Sequence, residues 1–543
     1  MKAVVDIETD AIDAKKIHCI VAQQYETGEV RKWVGDECKE FGEWSKKIDQ
    51  FIMHNGISFD APLLNKFTGS TITPQQVRDT LLESQLFNPV REGGHSLESW
   101  GERLGFAKLD FHDFSEFSPL MLEYCQRDVE LTRKLAQNLE KEKKKFSNQC
   151  YDLERNIRII IDKQQSNGFA FDLMKAQLLL AKLEDEQHEL ERNAEEEFEP
   201  TIVELKTKTK EIPFNIASRK QIADRLMQRG WEPDKLTDKG NVIVNEDVLS
   251  KIDMPEAQMF SRYFLLQKRT GLLKAWIKEC GEDMRVRGRV LTLKTITGRM
   301  AHHSPNMAQV PAVYSPYGQE CRELWTISNP DTHQLVGTDA SGLELRCLAH
   351  YMNNADFTNE VLTGDVHTAN QRAAGLSNRD QAKTFIYAFL YGAGPAKIGK
   401  IVGGGPGKGQ KLISKFLANM PALRTLRSNI QEAAQQGSIP GLDGRRLMIR
   451  SEHAALNTLL QGAGAIVCKQ WLVEIDKRVR KSGLDAKLVA SVHDEYQFEV
   501  AKPDINRFTK ITKEAMYQTQ KVFKFRCDLD SDHKVGNNWA ETH

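Results

Sequence analysis

Apolar and polar positions along this chain fall into stretches of distinct period. KAVVDIET (2–9) is a short apolar run ending in acids and predicts a strand; HCIVAQQY (18–25) predicts a second. Mixed helical segments follow, up to the charged run KLAQNLEKEKKK (134–145). Residues 150–200 carry apolar positions at helical spacing, first in LERNIRIIIDKQ and again in MKAQLLLAKLEDEQHEL. Residues 201–245 are basic and turn-rich, bounded by breaks at Pro200 and Pro213. After Gly281 alternation returns. RVRGRVLTLKTITGR reads as paired strands, VGTDASGLELRCLAHYM as a strand turning into a helix, RDQAKTFIYAFLYGAG as one long helix, and LVASVHDEYQFEV as a hairpin with acids at its turn. GGGPGKGQ (403–410) resembles a phosphate loop but carries Val402 and Gly409 where that pattern needs glycine and a hydroxyl, and is expected to be a flexible loop. Strands and helices recur over 543 residues, enough for three or four domains at about 150 residues each, so the expected class is α/β multidomain.

Composition narrows this reading. Lys+Arg and Asp+Glu number 75 each, which argues against a compact basic module but not against segregated charge. Residues 1–145 hold 20 basic and 25 acidic residues, 181–200 hold 2 and 9, and 366–450 hold 13 and 3. These are different surfaces for different partners. The acidic run reads as a solvated helix face. No apolar run reaches the length of a membrane span, and acids near the N-terminus exclude a secretory signal. Nine scattered cysteines without a CxxC pair fit free thiols in a reducing cytosol.

Two acidic constellations carry the chemistry. In the first, Asp6 and Glu8 alternate on a strand and share a face. HNGISFD (54–60) adds Asp60, and YCQRD (124–128) places Tyr124 and Asp128 one helical turn apart. Four converging carboxylates repel unless cations lie between them. Two divalent ions about 3.5–4 Å apart would suit phosphodiester hydrolysis, with Tyr124 orienting the attacking water. In the second, Asp339 stands at a strand end with Glu344 five residues on, and Asp494 and Glu495 at a hairpin turn. Between them Arg379, Lys383, Tyr387 and Tyr391 recur every four residues along one helix face. Two cations and two aromatics so arranged suit a nucleoside triphosphate.

DIET, HNGISFD and YCQRD resemble the three motifs of a 3′–5′ proofreading exonuclease domain with an RNase H-like fold. The middle motif is one residue longer than the HNxxxD form, between Asn55 and Asp60. TDASGLELR, RDQAKTFIYAFLYG and VHDEY resemble motifs A, B and C of family A (DNA polymerase I type) DNA polymerases, above all the replicative enzymes of short-tailed bacteriophages. TGRMAHHSPNMAQVP, GDVHTANQ and HAALNTLLQGAGA support the likeness.

The resemblance implies a right-hand polymerase beside the exonuclease, divided as 1–145 exonuclease, 146–280 thumb, 281–362 and 451–543 palm, and 363–450 fingers. It implies that Asp339, Asp494 and the carbonyl of Ala340 hold two Mg²⁺ ions, that Asp6, Glu8, Asp60 and Asp128 hold two more, and that Mn²⁺ can substitute. Arg379, Lys383 and His367 would grip the triphosphate. Glu344 would exclude a ribose 2′-hydroxyl and hydrogen-bond Tyr387. Tyr391 would cover the templating position, and Glu495 would support the site. Arg299, Asn457, Gln461 and His493 would read the minor groove, where all correct pairs present shared acceptors. Expected partners are primer-template DNA, deoxynucleoside triphosphates, a phage helicase-primase and a single-strand-binding protein. The expected setting is the cytoplasm of an infected bacterium, with the protein a monomer. In well-known phage relatives a long basic thumb insertion docks host thioredoxin. Here only about fifteen residues (200–214) stand in that place, so no thioredoxin requirement is expected, nor a 5′-nuclease domain. Processivity would then rest on the helicase-primase, another clamp, or Lys206–Lys210. The rival readings are a nuclease with an inactive polymerase half and a single-subunit RNA polymerase.

Overall fold

The computed structural model describes residues 1–205, 208–234 and 236–543, without the side chains of 203–209. Its contacts divide the chain into two units: Met1–Asn167 with Val290–His302 and Val336–His533, and Gly168–Arg289 with His303–Leu335 and Lys534–His543.

The first unit begins with a five-stranded sheet. In spatial order its strands are Val30–Val34, Ile17–Gln24, Lys2–Thr9, Gln50–Met53 and Val77–Asp79. Lys2–Thr9 runs antiparallel to Ile17–Gln24 and parallel to Gln50–Met53. Alternation sends Ala3, Val5 and Ile7 into one apolar layer, with Phe51 and Leu64, and Val4 into another with Met121 and Val129. Pro119–Lys143 packs on the second face; Ser118 caps it and Pro119 occupies its first turn, where a missing N–H costs nothing.

The same unit contains a four-stranded sheet in the order Ala486–Val492, Glu495–Ala501, His333–Ala340, Ser531–Gly536. Ala455–Ser482, a 28-residue helix, packs beside Ile505–Val522, and Trp471 donates to the Thr512 carbonyl at 2.8 Å. A helical layer lies in sequence between this sheet's strand His333–Ala340 and its other three strands: Leu343–Met352, Val366–Ala374, Arg379–Leu390 and Pro406–Asn419. The glycine-rich 403–410 stretch is therefore only half a loop. Gly405 and Pro406 start a helix, because proline at the first helical position is preset for it.

Beneath these elements lies a buried charge network. Glu154 accepts from Lys469 at 2.7 and 2.8 Å and pairs with Arg445 at 2.7 Å; Arg445 also pairs with Asp443, and Lys469 donates to the Thr292 carbonyl at 2.8 Å. All four charged groups are buried. Burial outweighs Glu154 and pushes the Lys469 ammonium down to about 8. Removing one partner strands buried cations. Glu154→Leu is expected to cost about 3–5 kcal/mol and to lower the thermal midpoint by roughly 3–6 °C, read by calorimetry. A loss below about 1 kcal/mol would show that the cations find other partners.

In the second unit the acidic helix Leu173–Glu197 packs along Pro255–Lys278. Glu184 pairs with Lys274, Glu186 with Arg262 and the Tyr317 hydroxyl, and Glu191 with the Tyr263 hydroxyl. The run expected to be a solvated face is in part a seam to a basic partner helix. Such part-exposed pairs give orientation more than stability. Arg285–Val286 pairs with Phe169–Phe171, whereas Arg289–Leu291 joins Ala301–His303. The expected hairpin within 285–299 does not form, because runs this short take the partner that buries them best. Residues 201–212, read as turn-rich, form a hairpin of Thr201–Leu205 and Lys208–Ile212; Lys206–Lys210 lies in part outside the described residues. Among the described residues no helix is long and apolar enough to cross a membrane, and all nine cysteines are free.

Candidate active sites

Asp6 and Glu8 share one face of the central strand Lys2–Thr9, Glu8 opposite Cys19. Asp60 arrives from a turn. The Asp79 carboxylate accepts from the backbone N–H groups of Asn55 at 3.0 Å and Ile57 at 3.2 Å while capping Thr80–Phe87 through Leu81 and Leu82. Asn55 is left-handed at φ 69°, and a Cβ on Gly56 would lie 2.2 Å from that of Met53. The chain thus turns sharply enough to start a helix at Asp60, whose side chain is buried. Pro119–Lys143 delivers Tyr124 and Asp128.

The four carboxylates meet. Burial, then Glu8, Asp60 and Asp128, push the Asp6 carboxyl well above its ordinary value. Burial raises Glu8 to about 9 and Asp60 to about 7. Lys108 opposes this, its ammonium 2.6 Å from Asp128 Oδ2 and 4.7 Å from the Tyr124 ring centre. Burial would lower that ammonium, but Asp128 and the Tyr124 hydroxyl hold it above its ordinary value. Asp128 Oδ1 is buried without a hydrogen-bond partner. The Cys125 thiol lies 3.6 Å from Asp6 Oδ2. Sequence reasoning missed Asp79, Lys108 and Cys125. Asp79 before the run TLLE carried a helix-cap signal; no pattern marks Lys108.

The second site forms where His333–Ala340 ends beside the 492–495 turn. Asp339 is the penultimate strand residue, and Asp494 sits in the two-residue turn after His493, which is left-handed at φ 57°. The Ala340 N–H donates to the Asp494 carbonyl at 3.1 Å, tying the two acids' backbones together. Desolvation at the cleft floor, then Asp494 and Glu495, push the Asp339 carboxyl up to about 7; Asp532, missed in the sequence, adds to this. A cleft opens here, lined by Arg299, Glu344, Ala465, His493 and Asp494 among others. Gln461 and Asn457 lie one and two turns N-terminal to Ala465 on Ala455–Ser482, outside that lining. Gly298, left-handed at φ 75°, precedes Arg299; a Cβ there would stand 2.8 Å from Arg445 Nη1 of the buried network.

Arg379–Leu390 is helical, with Arg379 and Lys383 exposed and Tyr391 at its end. The Tyr387 and Tyr391 rings stack at 6.5 Å, and His367 lies 6.0 Å from Tyr387. Glu344 accepts from the Tyr391 hydroxyl at 2.6 Å and faces Arg299 at 3.6 Å. The expected bond to Tyr387 is replaced by one to Tyr391, because the helix ends there and swings its last ring toward Glu344. Arg379 makes two bonds to Asp365, at 2.7 and 3.0 Å, and Asp365 also caps the helix that carries His367.

Acids at a strand end and a hairpin turn of one sheet, with a cation-bearing helical layer between them in sequence, make up a mixed α/β polymerase domain. Residues 180–541 match the sequence model of DNA polymerase family A, and the chain belongs to that family. It is 32% identical to the DNA-directed DNA polymerase of Enterobacteria phage T3 and 32% identical to that of Escherichia phage T7, each match covering 99% of both chains. Its fold is similar to that of the POL domain of Pol1 from M. smegmatis, solved in complex with DNA primer-template and dNTP: TM-score 0.82, 18% identity, 99% of this chain and 96% of that one.

Proposed function

We propose that this protein is a DNA-directed DNA polymerase with a 3′–5′ proofreading exonuclease, copying phage DNA in the cytoplasm of an infected bacterium. The observation that carries the reading is the Ala340–Asp494 backbone hydrogen bond, which ties the strand end bearing Asp339 to Asp494, itself on a cleft with Glu344 and Arg299.

Both carboxylate clusters fit hard divalent cations. Their carboxylates are hard oxygen donors, burial and neighbouring acids raise Asp6 and Asp339, and Asp128 Oδ1 has no partner among the described residues. Asp339, Asp494 and the Ala340 carbonyl would hold Mg²⁺, or Mn²⁺ in its place, as would Asp6, Glu8, Asp60 and Asp128. Bound there, the ions would acidify the primer 3′-hydroxyl and screen the triphosphate charge. The chain's own residues do the rest. Arg379, Lys383 and His367 hold phosphate oxygens, Arg379 exchanging Asp365 for the triphosphate. Tyr387 stacks beneath the incoming sugar and base. Arg299, Asn457, Gln461 and His493 test pairing geometry in the minor groove, which all correct pairs satisfy alike.

Primer extension tests the reading in three arms. Deoxynucleotides should lengthen the primer, ribonucleotides should not, and omission of nucleotides should shorten it. Lengthening with ribonucleotides would establish an RNA polymerase, and shortening alone a nuclease with an inactive second half. Glu344 is assigned as the sugar gate through its tie to Tyr391. Glu344→Ala is expected to raise ribonucleotide incorporation about 10- to 100-fold, measured by competition between the two sugars. An unchanged ratio would remove that role.

We assign no thioredoxin subunit. The T3 alignment runs over 708 positions against 543 residues here, so that relative carries at least 165 residues without a counterpart in this chain. A helicase-primase and a single-strand-binding protein are the proposed partners of a monomeric polymerase.

A further inference from the structure

Lys108 lies on the irregular segment between Leu97–Arg103 and Pro119–Lys143, yet it is held firmly. Arg127 donates to the Ala107 carbonyl at 2.9 Å and covers Phe106 at 3.7 Å. Phe111 and Phe114 pack on Tyr124 from the far side of the segment. The Lys108 ammonium lies 2.6 Å from Asp128 Oδ2 and 4.7 Å from the Tyr124 ring centre, while buried Asp128 Oδ1 has no partner among the described residues.

We propose that Lys108 is a positioning residue for 3′-end hydrolysis, fixing the Tyr124 hydroxyl and Asp128 relative to each other. This rests on the exonuclease reading above. With Oδ2 taken by Lys108, Asp128 offers a cation only Oδ1. With its ring packed against the Lys108 ammonium on one side and Phe111 and Phe114 on others, Tyr124 keeps its hydroxyl aimed at one water. That water gives its oxygen to the terminal phosphorus and a proton to the departing 3′-oxygen. The phosphorus–oxygen bond breaks, releasing a nucleoside 5′-monophosphate and a chain one residue shorter with a free 3′-hydroxyl.

The test uses the full chain on 5′-labelled single-stranded DNA in single turnover at saturating Mg²⁺. Lys108→Met should slow shortening about 100-fold, in the range for losing one preorganised donor. Lys108→Arg should recover most of the rate. Lys108→Met combined with Tyr124→Phe should be no slower than the slower single variant, since both act through one hydroxyl. Mn²⁺ binding at this cluster, taken as the binding lost in Asp6→Asn with Glu8→Gln, should persist or tighten in Lys108→Met, because a repelling cation has gone. A wild-type rate in Lys108→Met would reduce Lys108 to a counter-ion of Asp128 and overturn the proposal. So would additive losses, or a rate loss that parallels lost Mn²⁺ binding. Failure of the unaltered protein to shorten DNA would instead overturn the exonuclease reading itself.

Discussion

Asp494→Asn is expected to abolish primer extension, lowering its rate by a thousandfold or more, about 4 kcal/mol of barrier. The change keeps the shape of the side chain and removes one charge. Asp494 stands in a two-residue turn whose carbonyl is bonded to Ala340, so the backbone geometry should survive. The lost charge has two consequences. A hard cation loses one of two facing carboxylates, and Asp339, whose carboxyl Asp494 helps to raise, relaxes toward its ordinary acidity. Shortening of a 3′ end should continue, because the other carboxylate cluster lies on a different sheet. Single-turnover extension of a labelled primer reads the effect. Extension within tenfold of the unaltered rate would remove Asp494 from the reaction.

Asp6→Asn with Glu8→Gln should have the opposite signature, with 3′ shortening reduced about a thousandfold or more and extension kept. Four acids crowd this buried site, and neutral amides remove the cost of keeping two of them there against their ordinary acidity. The thermal midpoint should therefore hold or rise while activity disappears. Degradation of single-stranded DNA without nucleotides measures it, and persistent shortening would place the hydrolytic centre elsewhere.

The catalytic acids were legible because their chemistry is written over short distances. Alternation put Asp6 and Glu8 on one face, helical spacing put Tyr124 above Asp128, and strand-to-turn patterns put Asp339 and Asp494 at element ends. The structure keeps each of these placements. The helix of Arg379, Lys383 and Tyr387 is likewise an i, i+4 statement, and it forms as expected. Where the reading went astray, distance in sequence was the cause. The alternation in 285–299 marked extended backbone only at Arg285–Val286 and Arg289–Leu291, leaving 292–299 outside any strand, and it missed the partners, which come from 169–171 and 301–303. Glu344 was assigned Tyr387, and only the end of the helix decides that Tyr391 reaches it, 47 residues away.

Local pattern and residue chemistry by themselves determined the α/β class, the family motifs and which carboxylates were candidates, since period and charge are properties of neighbouring residues. Only the tertiary structure decided what holds those groups: Lys108 on Asp128, Asp365 on Arg379, Asp79 under the Asn55 turn, and Glu154 against Lys469 across 315 positions. These partners are chosen by packing. A buried charge is stable only where folding supplies its complement, and no local period records which distant segment that will be.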